Sequence, residues 1–132
     1  MADIIEVSFP GGKRVDAQVG QFLIQTDQSV KAGGTASAPE PFSLFLASIA
    51  TCAGIFALGF CQSRQIDSTG LGLRMACTWD PLRKLYGTME LRLTLPPGFP
   101  AKYRDSIVKA VDLCAVKRHM METPEFKVTL QN

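Results

Sequence analysis

The stretch from Pro41 to Cys61 reads PFSLFLASIATCAGIFALGFC, and between Phe42 and Cys61 it carries no charged residue. At about 1.5 Å per residue, a helix of this length spans roughly 30 Å. That meets the length rule for a membrane span. Two features favour a core helix instead. Ser43, Ser48, Thr51, Gly54 and Gly59 interrupt the apolar run, and amphipathic strand patterns flank it on both sides. A helix apolar all round is equally what the centre of a core looks like. Dividing 132 residues around a membrane would leave two halves of a sheet with no shared core. The expectation is a buried central helix from Pro41 to about Arg64.

Upstream, Ile5, Val7 and Phe9 alternate, Pro10-Gly11-Gly12 marks a turn, and Val15, Ala17 and Val19 alternate again. Gly20 and the apolar Phe22-Leu23-Ile24 follow. Period-two runs separated by Gly and Pro predict an antiparallel meander. Residues 28–39 are small and polar, with Gly33-Gly34 inside, and read as a loop. Downstream, Leu71, Leu73, Met75, Cys77 and Trp79 fall on one strand face, as do Met89, Leu91, Leu93 and Leu95 on a second strand. Pro100 opens an amphipathic helix with Tyr103, Ile107, Val111 and Cys114 on one stripe, and 116–122 continues it or adds a turn. Phe126, Val128 and Leu130 predict a last strand after Pro124. The order βββ, helix, ββ, helix, β implies an α+β class with a mostly antiparallel sheet, a long buried central helix and a second amphipathic helix. One domain over 1–132 is expected.

Composition narrows the function. At 46% hydrophobic and 20% charged the chain is ordinary globular protein. A net charge of +2 with dispersed Lys and Arg argues against nucleic acid or an anionic membrane as partner. The N-terminus lacks the basic-then-apolar pattern of a signal peptide, which predicts a reducing, cytoplasmic location. The four cysteines, Cys52, Cys61, Cys77 and Cys114, are then expected as thiols. Their spacings of 9, 16 and 37 include no close pair, so no metal site is expected. Gly33-Gly34 lacks the Gly-Lys ending of a phosphate loop.

Two segments together resemble the OsmC/Ohr-like family, the osmotically inducible and organic hydroperoxide resistance proteins. The first is the Gly-rich loop, Pro-x-Pro approach and cysteine-bearing apolar helix in GGTASAPEPFSLFLASIATCAGIFALGFC; the second is CAVKRHM from Cys114 to Met120, shortly before Pro124-Glu125-Phe126. The element order is that of the family as well. The resemblance implies an intertwined homodimer that reduces organic hydroperoxides with Cys52 as reactive and Cys114 as resolving cysteine. It implies an external dithiol reductant and no bound cofactor. It further implies an arginine that activates the thiolate, matched here by Arg14, and a glutamate steadying it at the helix start. Phe42 and Ser43 stand where that glutamate is expected, so Glu40 is the nearest candidate.

The chemistry fits these residue types. A thiolate attacks the O–O bond, and an ordinary cysteine is only slightly ionised near neutrality. The resulting sulfenic acid condenses with a second thiol to a disulfide, which an outside dithiol reopens. Apolar surroundings suit an organic peroxide and make activation of the thiol more necessary. Cys61 and Cys77 read as packing residues and His119 as a solvated surface residue. The rival reading is a binding or redox-sensing module with little turnover, holding an apolar ligand between helix and sheet among Phe42, Phe45, Ile49 and Phe56.

Overall fold

The computed structural model describes residues 3–131. The elements are β1 (Glu6–Gly11), β2 (Arg14–Val19), β3 (Phe22–Thr26), α1 (Pro41–Ser63), β4 (Gly72–Asp80), β5 (Leu85–Thr94), a 3-10 turn (Ala101–Tyr103), α2 (Arg104–Val111) and α3 (Ala115–Met121). They fall into two compact units, one ending at Ala47 and the other beginning at Ser48. Each holds an antiparallel sheet, so the arrangement is the α+β class expected.

In the first unit, β1, β2 and β3 form the predicted meander, with Val7 opposite Ala17 and Ala17 opposite Ile24. The loop after β3 is organised by Asp27, which is buried. Its Oδ1 accepts from the Gln28 N–H at 2.7 Å. Its Oδ2 accepts from the Thr35 hydroxyl at 2.8 Å and from both the N–H and hydroxyl of Ser37 at 3.0 and 2.6 Å. These donors, Ser37 foremost, hold the Asp27 carboxyl well below the usual carboxylate range. The same turn explains Gly34. A Cβ there would lie 2.2 Å from the Gln28 carbonyl oxygen and 2.7 Å from Asp27 Oδ1.

Pro41 opens α1 at the position where a missing N–H costs nothing, and the Glu40 carbonyl accepts from Ser43 and Leu44. The other end is a Schellman stop. The Ile66 N–H reaches the Cys61 carbonyl at 2.9 Å and the Gln65 N–H reaches Gln62 at 3.2 Å. Gln65 sits at φ 53°, where glycine is usual.

In the second unit, Ala53, Ala57, Phe60 and Cys61 of α1 pack with Ile107 and Val111 of α2. Leu73, Leu91, Leu93 and Leu95 cover this cluster from the hairpin side. The small residues at 53 and 57 let neighbouring elements approach, and the stripe 53, 57, 60, 61 is one helix face. Ile107 is fully buried; removing such a side chain from water stabilises by roughly 1.5–3 kcal/mol. The charge-free α1 keeps the length and composition of a membrane span, and its buried residues form this core stripe.

Three details differ from the expectations. The stripe from Tyr103 to Cys114 is not one helix: α2 stops at Val111 and α3 restarts at Ala115, with Cys114 extended between them at φ −52°, ψ 127°. Cys114 is buried all the same, so the apolar spacing survives the break. Trp79 is half exposed at the far end of the hairpin, edge-on to Tyr86 at 5.2 Å, where the ladder shifts register after Thr78. The last strand does not form. Phe126, Val128 and Leu130 are 86%, 99% and 91% exposed, and no described strand pairs with them. Alternation marks a segment that can pair; it does not provide the partner ladder.

Candidate functional site

The second unit brings two of the four cysteines together. Cys52, half-buried on α1, accepts a hydrogen bond from the Cys114 S–H. The backbone N–H groups of Val116 and Ala115 also point at the Cys52 sulfur. The Cys114 bond is the largest influence. With the two amides it holds the Cys52 thiol below its ordinary value, overcoming a burial effect of opposite sign.

The local fold explains why those amides are available. Asp112 and Leu113 close α2 through the carbonyls of Val108 and Ala110, and the Cys114 carbonyl then accepts the first α3 bond, from Arg118. The opening N–H groups of a helix have no partner four residues back. Here they turn to sulfur: Ala115 and Val116 toward Cys52, Val116 and Lys117 toward Cys114. An ion pair between Lys117 Nζ and Asp112 Oδ1 ties α3 to the end of α2 across the cysteine.

Cys114 responds the other way. Burial pushes its thiol up, and the bond to Cys52 and the negative charge there add to the rise, against the amides of Lys117 and Val116. The pair is therefore polarised. The Cys52 thiol is held below its ordinary value and the Cys114 thiol above it.

Arg14 and Glu40 belong to the first unit and are not joined to each other. Arg14 Nη2 donates to both carboxylate oxygens of the buried Asp16, at 2.9 and 3.2 Å. Residues two apart on a strand share a face, so Asp16 is the natural partner and Glu40 is not. Arg14 Nε is buried without a hydrogen-bond acceptor among the described residues. Glu40 Oε1 accepts from the Ser29 N–H at 3.3 Å, bracing the loop that leads into α1.

The remaining candidates have structural surroundings. Cys61 is fully buried in the core, and burial pushes its thiol up. Cys77 is half-buried on β4. His119 is exposed, with Nδ1 at 2.7 Å from the Ala115 carbonyl, which makes Nδ1 the protonated ring nitrogen. No cluster of three or more His, Cys, Asp or Glu that could hold a metal occurs among the described residues.

Two cavities of the second unit are lined by residues of α1 and α2. One of about 470 Å³ includes Ile49, Met89, Val111 and Lys117. The other, about 640 Å³, is a groove between α1 and α2 that includes Ile55, Phe56 and Leu113. Ile49 and Phe56, expected to share one ligand pocket, thus line different cavities, while Phe42 and Phe45 pack on each other at 5.3 Å.

Sequence reasoning missed the amides at Cys52, the Asp27 clamp and the Arg14–Asp16 pair. The last had a legible signal in the spacing Arg14-x-Asp16 on a strand. The amides had none, because the apolar stripe runs through the helix break.

The sequence profile of the OsmC-like protein family matches residues 34–129. No curated protein matches the sequence. Among solved structures, an osmotic stress induced and detoxification response protein from Psychrobacter arcticus is similar at a TM-score of 0.73, with 20% identity over 89% of this chain and 87% of that one. An OsmC-like protein from Mycoplasma pneumoniae gives 0.67, with 17% identity over 93% and 89%. An organic hydroperoxide resistance protein OsmC from Legionella pneumophila gives 0.55, with 15% identity over 91% and 89%.

Proposed function

The chain belongs to the OsmC-like protein family, and on that premise we propose that it is a redox protein reducing organic hydroperoxides through Cys52 and Cys114. The observation that carries the reading is the hydrogen bond from the Cys114 S–H to the Cys52 sulfur, beside the N–H groups of Ala115 and Val116. It supports the two things the chemistry needs, a thiol that ionises more readily than usual and a second thiol as its partner. The Legionella relative, described as an organic hydroperoxide resistance and redox protein, supports the same direction.

The Cys52 thiolate attacks the terminal peroxide oxygen. The O–O bond breaks, sulfur takes up the oxygen as a sulfenic acid, and the alkoxide leaves as the alcohol after gaining a proton. Cys114 then attacks the Cys52 sulfur, expelling water and forming the disulfide. An external dithiol restores both thiols by exchange. Two thiols and one hydroperoxide thus give one disulfide, one alcohol and one water. No metal or organic cofactor takes part. Arg14, paired with Asp16, is proposed as the activating cation that the family resemblance implies.

The proposed assembly is an intertwined homodimer in the cytoplasm, free of membrane and nucleic acid. The exposed alternation of Phe126, Val128 and Leu130 supports it, because such a segment suits pairing with a second chain's sheet edge. Sedimentation at the 14.4 kDa of one chain would remove this part of the proposal.

The deciding experiment is a thiol-loss titration of the reduced protein with cumene hydroperoxide and with hydrogen peroxide, followed by peptide mapping. Rapid loss of two thiols per chain, mapped to a Cys52–Cys114 disulfide and faster with the organic peroxide, is expected. Loss at the rate of free cysteine would overturn the proposal.

A further inference from the structure

Asp112 and Lys117 stand at the wrong ends of their helices. Unpaired carbonyl groups gather at a helix C-terminus and unpaired N–H groups at an N-terminus, so the first disfavours an acid and the second a base. α2 otherwise obeys this rule, with Asp105 in its first turn and Lys109 in its last. Asp112 nevertheless caps the C-terminus of α2, and Lys117 is the third residue of α3. Each charge is answered by the other, through the ion pair between Lys117 Nζ and Asp112 Oδ1.

The spacing of the pair carries the argument further. Side chains meet along a helix at three or four residues, and five residues turn through about 140°. Asp112 and Lys117 therefore cannot pair in a continuous helix. They pair here because Cys114 is extended, at φ −52° and ψ 127°, and α3 sets off anew. Lys109, three residues before Asp112, is the partner that a helix would offer, yet the carboxylate goes to Lys117. Lys109, Asp112 and Lys117 are the charged groups lining the cavity of about 470 Å³, to which α1 and β5 contribute only apolar residues. The apolar stripe Tyr103, Ile107, Val111 and Cys114 would suit a continuous helix equally. In that form the N–H groups of Ala115 and Val116 would bond to the carbonyls of Val111 and Asp112, four residues back, and the Cys52 sulfur would lose them.

We propose that Asp112 and Lys117 are a positioning pair: their contact selects the broken arrangement over the continuous helix, and so reserves the N–H groups of Ala115 and Val116 for the Cys52 sulfur. The Lys117 and Asp112 side chains are 41% and 69% exposed, and an exposed ion pair adds little to global stability. This one also brings two charges to unfavourable helix ends, so its role is the choice of conformation. The consequence for turnover rests on the peroxidase reading; the positioning itself does not.

The test follows alkylation of Cys52 by iodoacetamide against pH in the reduced protein, mapped to the residue, beside urea unfolding. In D112N/K117Q the helix ends lose both misplaced charges, so the urea midpoint is expected to hold or rise. Alkylation of Cys52 near neutral pH is expected to fall by about three- to fivefold, the reach of an exposed pair, and its inflection to move to higher pH. The swap D112K/K117D restores the pair with each charge at its favoured helix end, and is expected to recover the wild-type profile. K109Q, which removes a neighbouring cation and leaves the pair, keeps that profile. A wild-type profile in D112N/K117Q overturns the proposal. So does a lower urea midpoint there, which would make the pair a stabilising contact, and so does an equal slowing in K109Q, which would make net charge the cause. A swap variant as slow as D112N/K117Q, or slower, overturns it too, because the Lys117 charge itself would then act on the thiol. If no peroxide oxidises the thiols while the alkylation order of the variants holds, the positioning stands and the peroxidase reading falls.

Discussion

Cys114 donates its S–H to the sulfur of Cys52, although 62 positions separate them in the chain. The bond joins the long apolar helix to the break between two short ones. It gives two chemically identical side chains opposite tendencies. The half-buried Cys52, surrounded by donors, loses its proton more readily than an ordinary thiol, and the fully buried Cys114 holds its proton more firmly. On the proposed reading the more readily ionised thiol is the nucleophile.

Replacing Cys114 should therefore change the titration of Cys52. In Cys114→Ala the principal donor is gone, so the Cys52 thiol moves up. Its alkylation by iodoacetamide slows near neutral pH, and the inflection of rate against pH shifts to higher pH. Cys114→Ser keeps an O–H donor and falls between Ala and wild type. An unchanged profile in Cys114→Ala would show that the amides of Ala115 and Val116 suffice alone.

Asp27 makes a prediction about acid. Its carboxyl is depressed in the folded state by the donors from Ser37, Gln28 and Thr35. A group with a lowered folded pKa contributes stability above its unfolded value, near 4, and that contribution is lost as pH falls below it. Urea unfolding of the wild type should show declining stability from about pH 5 downward. Asp27→Asn places an amide where Oδ2 accepts three bonds, so it should be less stable at pH 7 and should lose less between about pH 5 and 3. Parallel curves for the two proteins would count against the clamp.

Much of the fold was legible, and the exceptions have physical causes. The period-two runs at Val15–Val19 and Leu71–Cys77 and the charge-free 41–61 segment are local patterns, and local patterns survive into structure. The break at Asp112–Cys114 left no such mark. Cys114 stays on the buried side whether the helix continues or restarts, so spacing is blind to it. The cysteine pairing was accessible only through family resemblance, because contacts across 62 residues leave no periodic trace. The last strand was over-read: Phe126, Val128 and Leu130 have the right alternation but no ladder within this chain.

The end of α1 offers a stabilising change. Gln65 occupies the left-handed position of the Schellman stop at φ 53°, where a Cβ is unfavourable. The side chain is exposed, and its amide makes only a long bond of 3.5 Å to the Ser63 carbonyl. Gln65→Gly removes the strain and loses little, so a gain of about 0.5–1 kcal/mol is expected despite the added freedom of the unfolded chain. Thermal unfolding would rise by a few degrees. A fall in Tm would mean that the Gln65 side chain stabilises the stop more than the backbone resists it.

Gly34 and Gly54 should respond to alanine in opposite ways, although both are glycines near the apolar segment. At Gly34 the added Cβ meets the Gln28 carbonyl oxygen at 2.2 Å and Asp27 Oδ1 at 2.7 Å. Neither is the end of a flexible side chain. One is backbone, and the other is fixed by its own bond to the Gln28 N–H. The turn must open, and with it the bonds from Thr35 and Ser37 that it brings to Asp27. A cost at the upper end of the 1–3 kcal/mol typical of overpacking is expected. At Gly54, inside α1, nothing lies within 4 Å of the added atom, and alanine gains roughly 0.5–1 kcal/mol of helix preference. Urea denaturation of Gly34→Ala and Gly54→Ala beside the wild type checks both signs at once. A neutral Gly34→Ala would mean that the loop before α1 yields without loss, and the close packing around Asp27 would not be what holds it.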